Sequence, residues 1–271
     1  MISRYLAETG KYDVQNISHS VKLGADWILA DVEDAGAITR ALERFAPEVV
    51  INCVGMLVKE SEQNPGKAAY INGYFPHLLE KLGANNGFKL IHLSTDCVFS
   101  GEKGGYSETD SRDGKGFYAQ SKAMGEVIND RDLTIRTSII GPELKRNATG
   151  LFHWFMTSAG TVKGFSSAYW NGVTTLELAK FIEAVLSRDI SGLCHLATPG
   201  KISKYALISL IRETWERKTP VIMEDSTYIS DKTLVCTRGD MPLVPEEYPL
   251  QLKELRAWML DHKDLYAQYA E

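Results

Sequence analysis

Three residues in this sequence have the types and spacing for acid–base chemistry at a substrate oxygen. The segment Tyr118-Ala-Gln-Ser-Lys122 sets a phenol and an ammonium four positions apart. On a helix, positions i and i+4 share a face, so both side chains can enter one cleft. An ammonium beside a phenol favours the phenolate, which would lower the Tyr118 pKa and make it a usable acid near neutral pH. Thr95 closes the apolar segment that begins at Lys89 and reads as a strand. Open α/β sheets bind ligands at the carboxyl ends of their strands, so the Thr95 hydroxyl is expected to hold a substrate oxygen beside the phenol. Alone, a Tyr-x-x-x-Lys pair is explained as well by a solvated helical face. Its place after a strand ending Ser94-Thr95-Asp96 favours chemistry.

The elements that must position these groups follow from periodicity. Ile2, Tyr5 and Leu6 fall at helical spacing before Gly10, and Asp13–Ser18 alternates like a strand. A helix is expected over Asp34–Phe45, halted by Pro47, and a buried strand over Glu48–Cys53, whose apolar residues are continuous. Another helix runs from about Pro76 to Leu82, then a strand over Lys89–Ser94, a helix over Tyr118–Ile128 and a strand over Leu133–Ile140. Strands and helices alternating at this interval predict an α/β fold, a doubly wound parallel sheet of the Rossmann type. Beyond Gly141-Pro142 the helical stretches are Leu151–Thr157, Thr175–Leu186, Lys204–Trp215 and Leu250–His262. Residues 1–142 are therefore read as a nucleotide-binding domain. Residues 143–271 are read as a smaller, mostly helical substrate-binding part interleaved with it.

Such a sheet ordinarily opens with a strand and a glycine-rich turn that seats a pyrophosphate on a helix N-terminus. No GxGxxG or GxxGxxG occurs, and Gly101, Gly104 and Gly105 precede no helix. The expectation is a late start, with the first strand and its glycine loop missing from the amino end. Composition sets the remaining bounds. With 271 residues, 44% hydrophobic and 24% charged, the chain can bury a core without staples. A formal charge of −5 attracts neither nucleic acid nor anionic lipid, and no run is long and apolar enough to span a bilayer. The four cysteines are scattered, with no metal-ligand spacing, so the expectation is reduced thiols, no metal and a cytoplasmic location.

Ordered motifs give a resemblance. Ala30-Asp31-Val32, Pro47-Glu-Val-Val-Ile-Asn-Cys-Val-Gly55, Asn72 and Leu93-Ser-Thr-Asp-Cys-Val-Phe99 are followed by Tyr106-Ser-Glu-Thr-Asp110, Tyr118-Ala-Gln-Ser-Lys-Ala-Met-Gly-Glu126 and Arg136-Thr-Ser138. In this order they resemble the extended short-chain dehydrogenase/reductases, and within them the dTDP-4-dehydrorhamnose reductase family of nucleotide-sugar 4-ketoreductases. The resemblance implies a catalytic set of Thr95, Tyr118 and Lys122, with Tyr118 protonating the C4 oxygen and Lys122 also meeting the nicotinamide ribose. It implies that Asp31 and Val32 border the adenine, that Cys53, Val54 and Gly55 line the cofactor, and that Asn72 supports the site. Asp96 and Phe99 become candidates for substrate contact. The chain departs from the family's pattern at Cys97, where a Tyr is common, and at Ile139, where an aromatic is common; both bear on the sugar. A homodimer is implied by the same resemblance.

Several residues have plain readings beside the sharp ones. Asp31 could cap a turn, and Asn52 could satisfy backbone groups at a buried strand end. Asp96 could accept backbone N–H groups. His92 and His195 read as core histidines. Trp170, beside Asn171 and Gly172, reads as loop-borne and able to meet a nucleotide-sugar, and Lys145 and Arg146 read either as a solvated pair or as cations for its diphosphate, where the resembling enzymes bind it. At the end of the second strand of the fold stand Ser18, His19 and Ser20, with Lys22 near and no acid. Hydroxyls and a cation suit a 2′-phosphate, so NADP(H) is preferred, with NAD(H) the alternative. The function expected is NADPH-dependent reduction of a nucleoside-diphosphate 4-keto-6-deoxy sugar for surface polysaccharide. The alternatives are a binding or regulatory subunit of the same fold, like that of methionine adenosyltransferase, and a nucleotide-sugar epimerase.

Overall fold

The computed structural model describes residues 1–19, 22, 24, 27–145 and 148–269. The chain opens on α1 (Ile2–Glu8), followed by β1 (Asn16–Ser18), β2 (Trp27–Leu29), α2 (Ala35–Phe45) and β3 (Val49–Asn52). Next come α3 (Val58–Gln63), α4 (Pro65–Ala68), a π-helical turn over Ala69–Tyr74, α5 (Phe75–Asn86) and β4 (Lys89–Thr95). α6 (Gly116–Met124), β5 (Leu133–Thr137) and β6 (Ile139–Ile140) complete the first half. The second half holds α7 (Leu151–Thr157), β7 (Thr161–Phe165), β8 (Ala168–Trp170), β9 (Val173–Thr174) and α8 (Thr175–Leu186). It ends with β10 (Gly192–His195), β11 (Ile202–Ser203), α9 (Lys204–Thr214), β12 (Val221–Asp225), β13 (Ser230–Asp231) and α10 (Tyr248–Asp261).

Local chemistry explains the ends of these elements. The Asp34 carboxylate accepts from the Ala37 N–H at 2.9 Å and starts α2, which stops where Ala46 turns left-handed before Pro47. α5 runs on to Asn86 because only Gly87, at φ 84°, leaves the right-handed region. The hydroxyls of Thr174 and Ser203 cap α8 and α9 in the same way as Asp34 caps α2.

The main sheet has the order β10-β5-β4-β3, all parallel, with Thr95 opposite Thr137 and Asn52 opposite His92. Helices cover both faces. Leu6 of α1 and Phe181, Ile182 and Val185 of α8 pack with Ile91, Leu133 and Ile135 on one side. Ile38, Leu42, Phe75 and Leu79 of α2 and α5 pack with Leu90 on the other. Burying an aliphatic side chain such as that of Ile135 stabilises the fold by about 1.5–3 kcal/mol. This is the doubly wound α/β arrangement expected. β1 and β2 pair parallel with each other in a separate two-stranded sheet, not with β3.

The structure departs from the periodicity reading in two places. The strand expected over Leu133–Ile140 is two: β5 stays in the main sheet, while β6 pairs with β9 after the break at Ser138. The part beyond residue 142 also carries the small sheets β11-β8-β13 and β12-β7, whose strands of two to five residues are too short to show alternation. β10, from beyond residue 142, forms one edge of the main sheet.

Candidate active site

Thr95 ends β4, and α6 crosses beside it. A buried charge network locks the two elements together. Arg136 of β5 grips Glu126 with Nε and Nη2, each at 2.7 Å, while Ser94 donates to the same carboxylate at 2.7 Å and Arg112 at 3.1 Å. Arg136 and Glu126 are both buried, and a bidentate guanidinium–carboxylate pair fixes orientation as well as charge. Glu62 of α3 accepts from the Tyr118 N–H at 3.2 Å, serving the N-terminus of α6 where Lys115 provides no side-chain cap. α6 packs onto the π-helical turn so closely that a Cβ at Gly125 would lie 1.9 Å from the Asn72 carbonyl oxygen.

Tyr118 and Lys122 sit on this helix; the Tyr118 phenol comes beside Thr95, while Lys122 reaches the backbone of β4 at Leu93. Burial pushes the Tyr118 phenol up, the nearby Cys97 adds to the rise, the Thr95 hydroxyl beside it pulls it back, and Asp96 raises it further. This corrects the expectation that Lys122 depresses the phenol. The Lys122 ammonium is tied instead to the Leu93 carbonyl oxygen at 2.7 Å. Burial brings Lys122 down to about 8, against the opposing pull of Glu126 and Cys53. Thr95 accepts from the Cys97 N–H at 3.1 Å and donates to Asp96 Oδ1 at 3.1 Å. Burial raises the Asp96 carboxyl despite Lys232, Thr95, Cys97 and Lys204, which favour its charge. Lys232 and Lys204 were not singled out from sequence. They come from a loop and a helix far along the chain, and no local motif marks them.

The residues expected to meet a cofactor gather at the ends of β1, β2 and β3. A Cβ at Gly55 would stand 3.4 Å from Asn72 Oδ1 and 4.0 Å from Lys122 Nζ, so the bare backbone there leaves room beside the ammonium. Cys53 is exposed at the end of β3, and Val32 and Val54 pack on the cluster of Met56 and Ile71. Asn72 is fully buried. It accepts from the Met56 N–H at 2.8 Å and donates to Met56 O, Ser61 and Ser121, clamping the loop after β3 to α6. Asn52 bonds to His92 Nδ1 at 3.1 Å and accepts from Val54 N–H. His92 is buried, and that burial, with Lys122 nearby, pushes its pKa well down. Asp31 accepts from the Glu33 N–H at 3.0 Å, and also lies 3.3 Å from His19. The fold thus carries a carboxylate to the end of β1 beside Ser18 and His19, where the sequence order alone showed none. Ser20 lies outside the described residues.

Three substrate candidates are placed differently from the sequence expectation. Trp170 is not loop-borne: it lies on β8, buried, with its ring stacked 5.6 Å from Tyr248. Asn171 is buried, its amide spent on both backbone groups of Leu234 at 2.7 and 2.8 Å. Phe99 is fully buried, stacked 4.2 Å from Tyr106 with the Arg136 guanidinium over its ring, so it faces core. In each case a motif-adjacent aromatic or amide is used for packing. Lys145 is exposed, and Arg146 lies outside the described residues. Among the described residues no group of His, Cys, Asp and Glu is placed to hold a metal, and no helix is long and apolar enough to cross a membrane.

A doubly wound sheet with Thr, Tyr and Lys gathered at its carboxyl edge defines a class: the extended short-chain dehydrogenase/reductase fold. More closely, residues 7–242 match the family described as the RmlD substrate binding domain, and the chain belongs to that family. The dTDP-4-dehydrorhamnose reductase of Mycobacterium tuberculosis is 38% identical over 102 residues, a stretch covering 35% of this chain and 33% of that one. The spore coat polysaccharide biosynthesis protein SpsK of Bacillus subtilis is 25% identical over 212 residues, 76% of this chain and 74% of the relative. Among solved structures, the Bacillus anthracis dTDP-4-dehydrorhamnose reductase in complex with NADP is 18% identical. It has a TM-score of 0.74 and covers 86% of this chain and 89% of that one.

Proposed function

We propose that the chain reduces the C4 keto group of a nucleoside-diphosphate 4-keto-6-deoxy sugar with NADPH, in the making of a surface polysaccharide. The observation that carries this reading is that Tyr118 and Lys122 of α6 both meet the carboxyl end of β4, the phenol beside Thr95 and the ammonium on the Leu93 carbonyl oxygen. A nicotinamide held beside Lys122 would supply the hydride for C4. Tyr118 is the acid for the C4 oxygen, and burial, which keeps the phenol protonated, suits it to hold that proton until it is needed. The Thr95 hydroxyl orients the same oxygen. Lys122, held between the Leu93 carbonyl and the open backbone at Gly55, meets the ribose. Ser18 and His19 are the residues proposed for the adenosine 2′-phosphate, with NAD(H) kept as the alternative because the Asp31 carboxylate beside His19 opposes a phosphate there; Asp31 and Val32 border the adenine, and Cys53 and Val54 the ribose side. Lys145 and Arg146 are the cations proposed for the sugar diphosphate. The names and NADP complex of the relatives support this substrate and cofactor class. A cytoplasmic setting and a pairing of two subunits go with the same reading.

The separation of β1–β2 from β3 favours a second reading, a binding subunit that keeps the fold for a partner. One assay separates the two. The protein is mixed with NADPH and dTDP-4-keto-6-deoxyglucose or its epimer, and NADPH consumption is followed with mass analysis of the sugar. Stoichiometric loss of NADPH with gain of two hydrogens by the sugar is expected. Interconversion of sugars without net NADPH loss would indicate an epimerase, and no change to the sugar a binding subunit.

A further inference from the structure

The loop between β3 and α3, residues 53–57, is held at both ends by side-chain amides. Toward α3, Asn72 accepts from the Met56 N–H at 2.8 Å and donates to the Met56 carbonyl oxygen at 3.2 Å. Toward β3, Asn52 accepts from the Val54 N–H at 3.0 Å. That contact fixes which way the Asn52 amide is turned, because only its oxygen can accept. Its nitrogen, which only donates, then faces His92 Nδ1 at 3.1 Å, so Nδ1 is the accepting nitrogen of the ring. The ring proton lies on Nε2, which is buried and has no hydrogen-bond partner among the described residues. Keeping a buried donor unpaired is unfavourable, and what the imidazole contributes in return is the Nδ1 lone pair.

Strand register connects this bond to the Lys122 ammonium. His92 stands opposite Asn52 in the β3–β4 ladder, and the next residue, Leu93, gives its carbonyl oxygen to Lys122 Nζ at 2.7 Å. From the loop side, a Cβ at Gly55 would stand 4.0 Å from the same Nζ. Consecutive residues of β4 therefore place the two walls of this gap. Leu93 places the ammonium, and His92, through Asn52, places the backbone facing it. We propose that His92, neutral and protonated on Nε2, is a positioning residue that holds the backbone of residues 53–55 at the spacing from Lys122 which a nicotinamide ribose needs. The proposal rests on the reductase reading above, which puts the ribose between Lys122 and Gly55. Burial, with the Lys122 ammonium and His77 nearby, keeps the ring uncharged, and a proton on Nδ1 would remove the acceptor that the Asn52 nitrogen uses.

Two measurements test this, one of them without any ligand. In nitrogen-15 spectra of the free protein, His92 is expected to show a bare Nδ1 and a protonated Nε2. A proton on Nδ1 overturns the proposal, whether or not the protein reduces sugars. The second measurement is calorimetric titration of variants with NADPH alone. His92→Asn puts an amide oxygen where Nδ1 stands and should bind within about two-fold of wild type. His92→Leu fills the space without an acceptor and should bind about 10-fold more weakly, the worth of one hydrogen bond. It exchanges one unpaired buried donor, Nε2, for another, the Asn52 nitrogen, so its melting temperature should stay close to that of wild type. In an Asn52→Ala background, His92→Leu should weaken binding no further, because its route to the loop is gone. Equal binding by wild type and His92→Leu, or the same further loss in the Asn52→Ala background, overturns the proposal and leaves the reductase reading standing. A loss shared equally by His92→Asn and His92→Leu also overturns it, since the ring would then act by packing alone. Should His92→Asn fail to fold, the wild-type spectrum and His92→Leu decide. Absence of NADPH binding by wild type, with the Nε2 proton seen, removes the reductase reading and with it the role given to His92.

Discussion

The crossing of α6 over β4 and the β1–β2 pair are built differently. At the crossing every strand residue of β5 is buried, and Arg136 of β5 and Ser94 of β4 both hold Glu126, just past the end of α6. By contrast, β1 and β2 are three residues each, nowhere fully buried, with Leu29 exposed and His19 and Asp31 meeting at the surface. A proton donor must be held within about 0.5 Å of its productive geometry, and this needs the dense packing of the first region. An adenosine end can be held by backbone and surface charge. The contrast indicates that affinity and turnover in this molecule are controlled from different places.

Matched truncations test that contrast most strongly. Ile135→Ala in the buried centre of β5 is expected to cost about 2–5 kcal/mol of folding stability, by lost transfer energy and an unfilled cavity. Ile17→Ala in half-buried β1 should cost about 1 kcal/mol or less. Urea unfolding of both variants checks it, and equal losses would erase the distinction. A middle-sized effect is expected at Lys122, which bridges the two regions. Lys122→Met should weaken NADPH binding by about 10-fold, the worth of one hydrogen bond from a charged group. In wild type, affinity should fall as pH rises through about 8, where Lys122 loses its charge, and calorimetry of the Met variant should show no such step. The sign for stability is opposite. The unfolded lysine keeps its proton up to about 10.5, so between about 8 and 10.5 the unfolded chain binds more protons and this group makes folding more favourable as pH rises. The smallest effect belongs to the surface: His19→Gln should reduce the preference for NADP over NAD by about three-fold, in line with an exposed charge contact.

How much was readable divides along the same line. The placement of Thr95 at a strand end and of Tyr118 and Lys122 on one helix was legible because the strand-end and i, i+4 rules are local, and α6 begins only two residues before Tyr118. The strand–helix alternation was legible for the same reason. Trp170 was misread because Asn171-Gly172 looks like a loop, while the short strand β8 before it is buried by α10, whose Tyr248 lies far along the chain. The state of the Tyr118 phenol was misjudged because spacing shows a neighbouring charge but not the depth at which the phenol is buried. Lys232, Lys204 and the Asp31–His19 contact could not be seen, since each depends on tertiary approach rather than spacing.

The central claim is that Tyr118 is the acid in a carbonyl reduction. Replacing it by Phe removes one oxygen and its proton from a helix whose other contacts remain. The measurement is the rate of NADPH-dependent reduction of the 4-keto sugar by Tyr118→Phe and wild type under the same conditions, with thermal unfolding as control. The account predicts a fall of about 10²–10⁴ in rate with the melting temperature preserved. Turnover within a few-fold of wild type would contradict it.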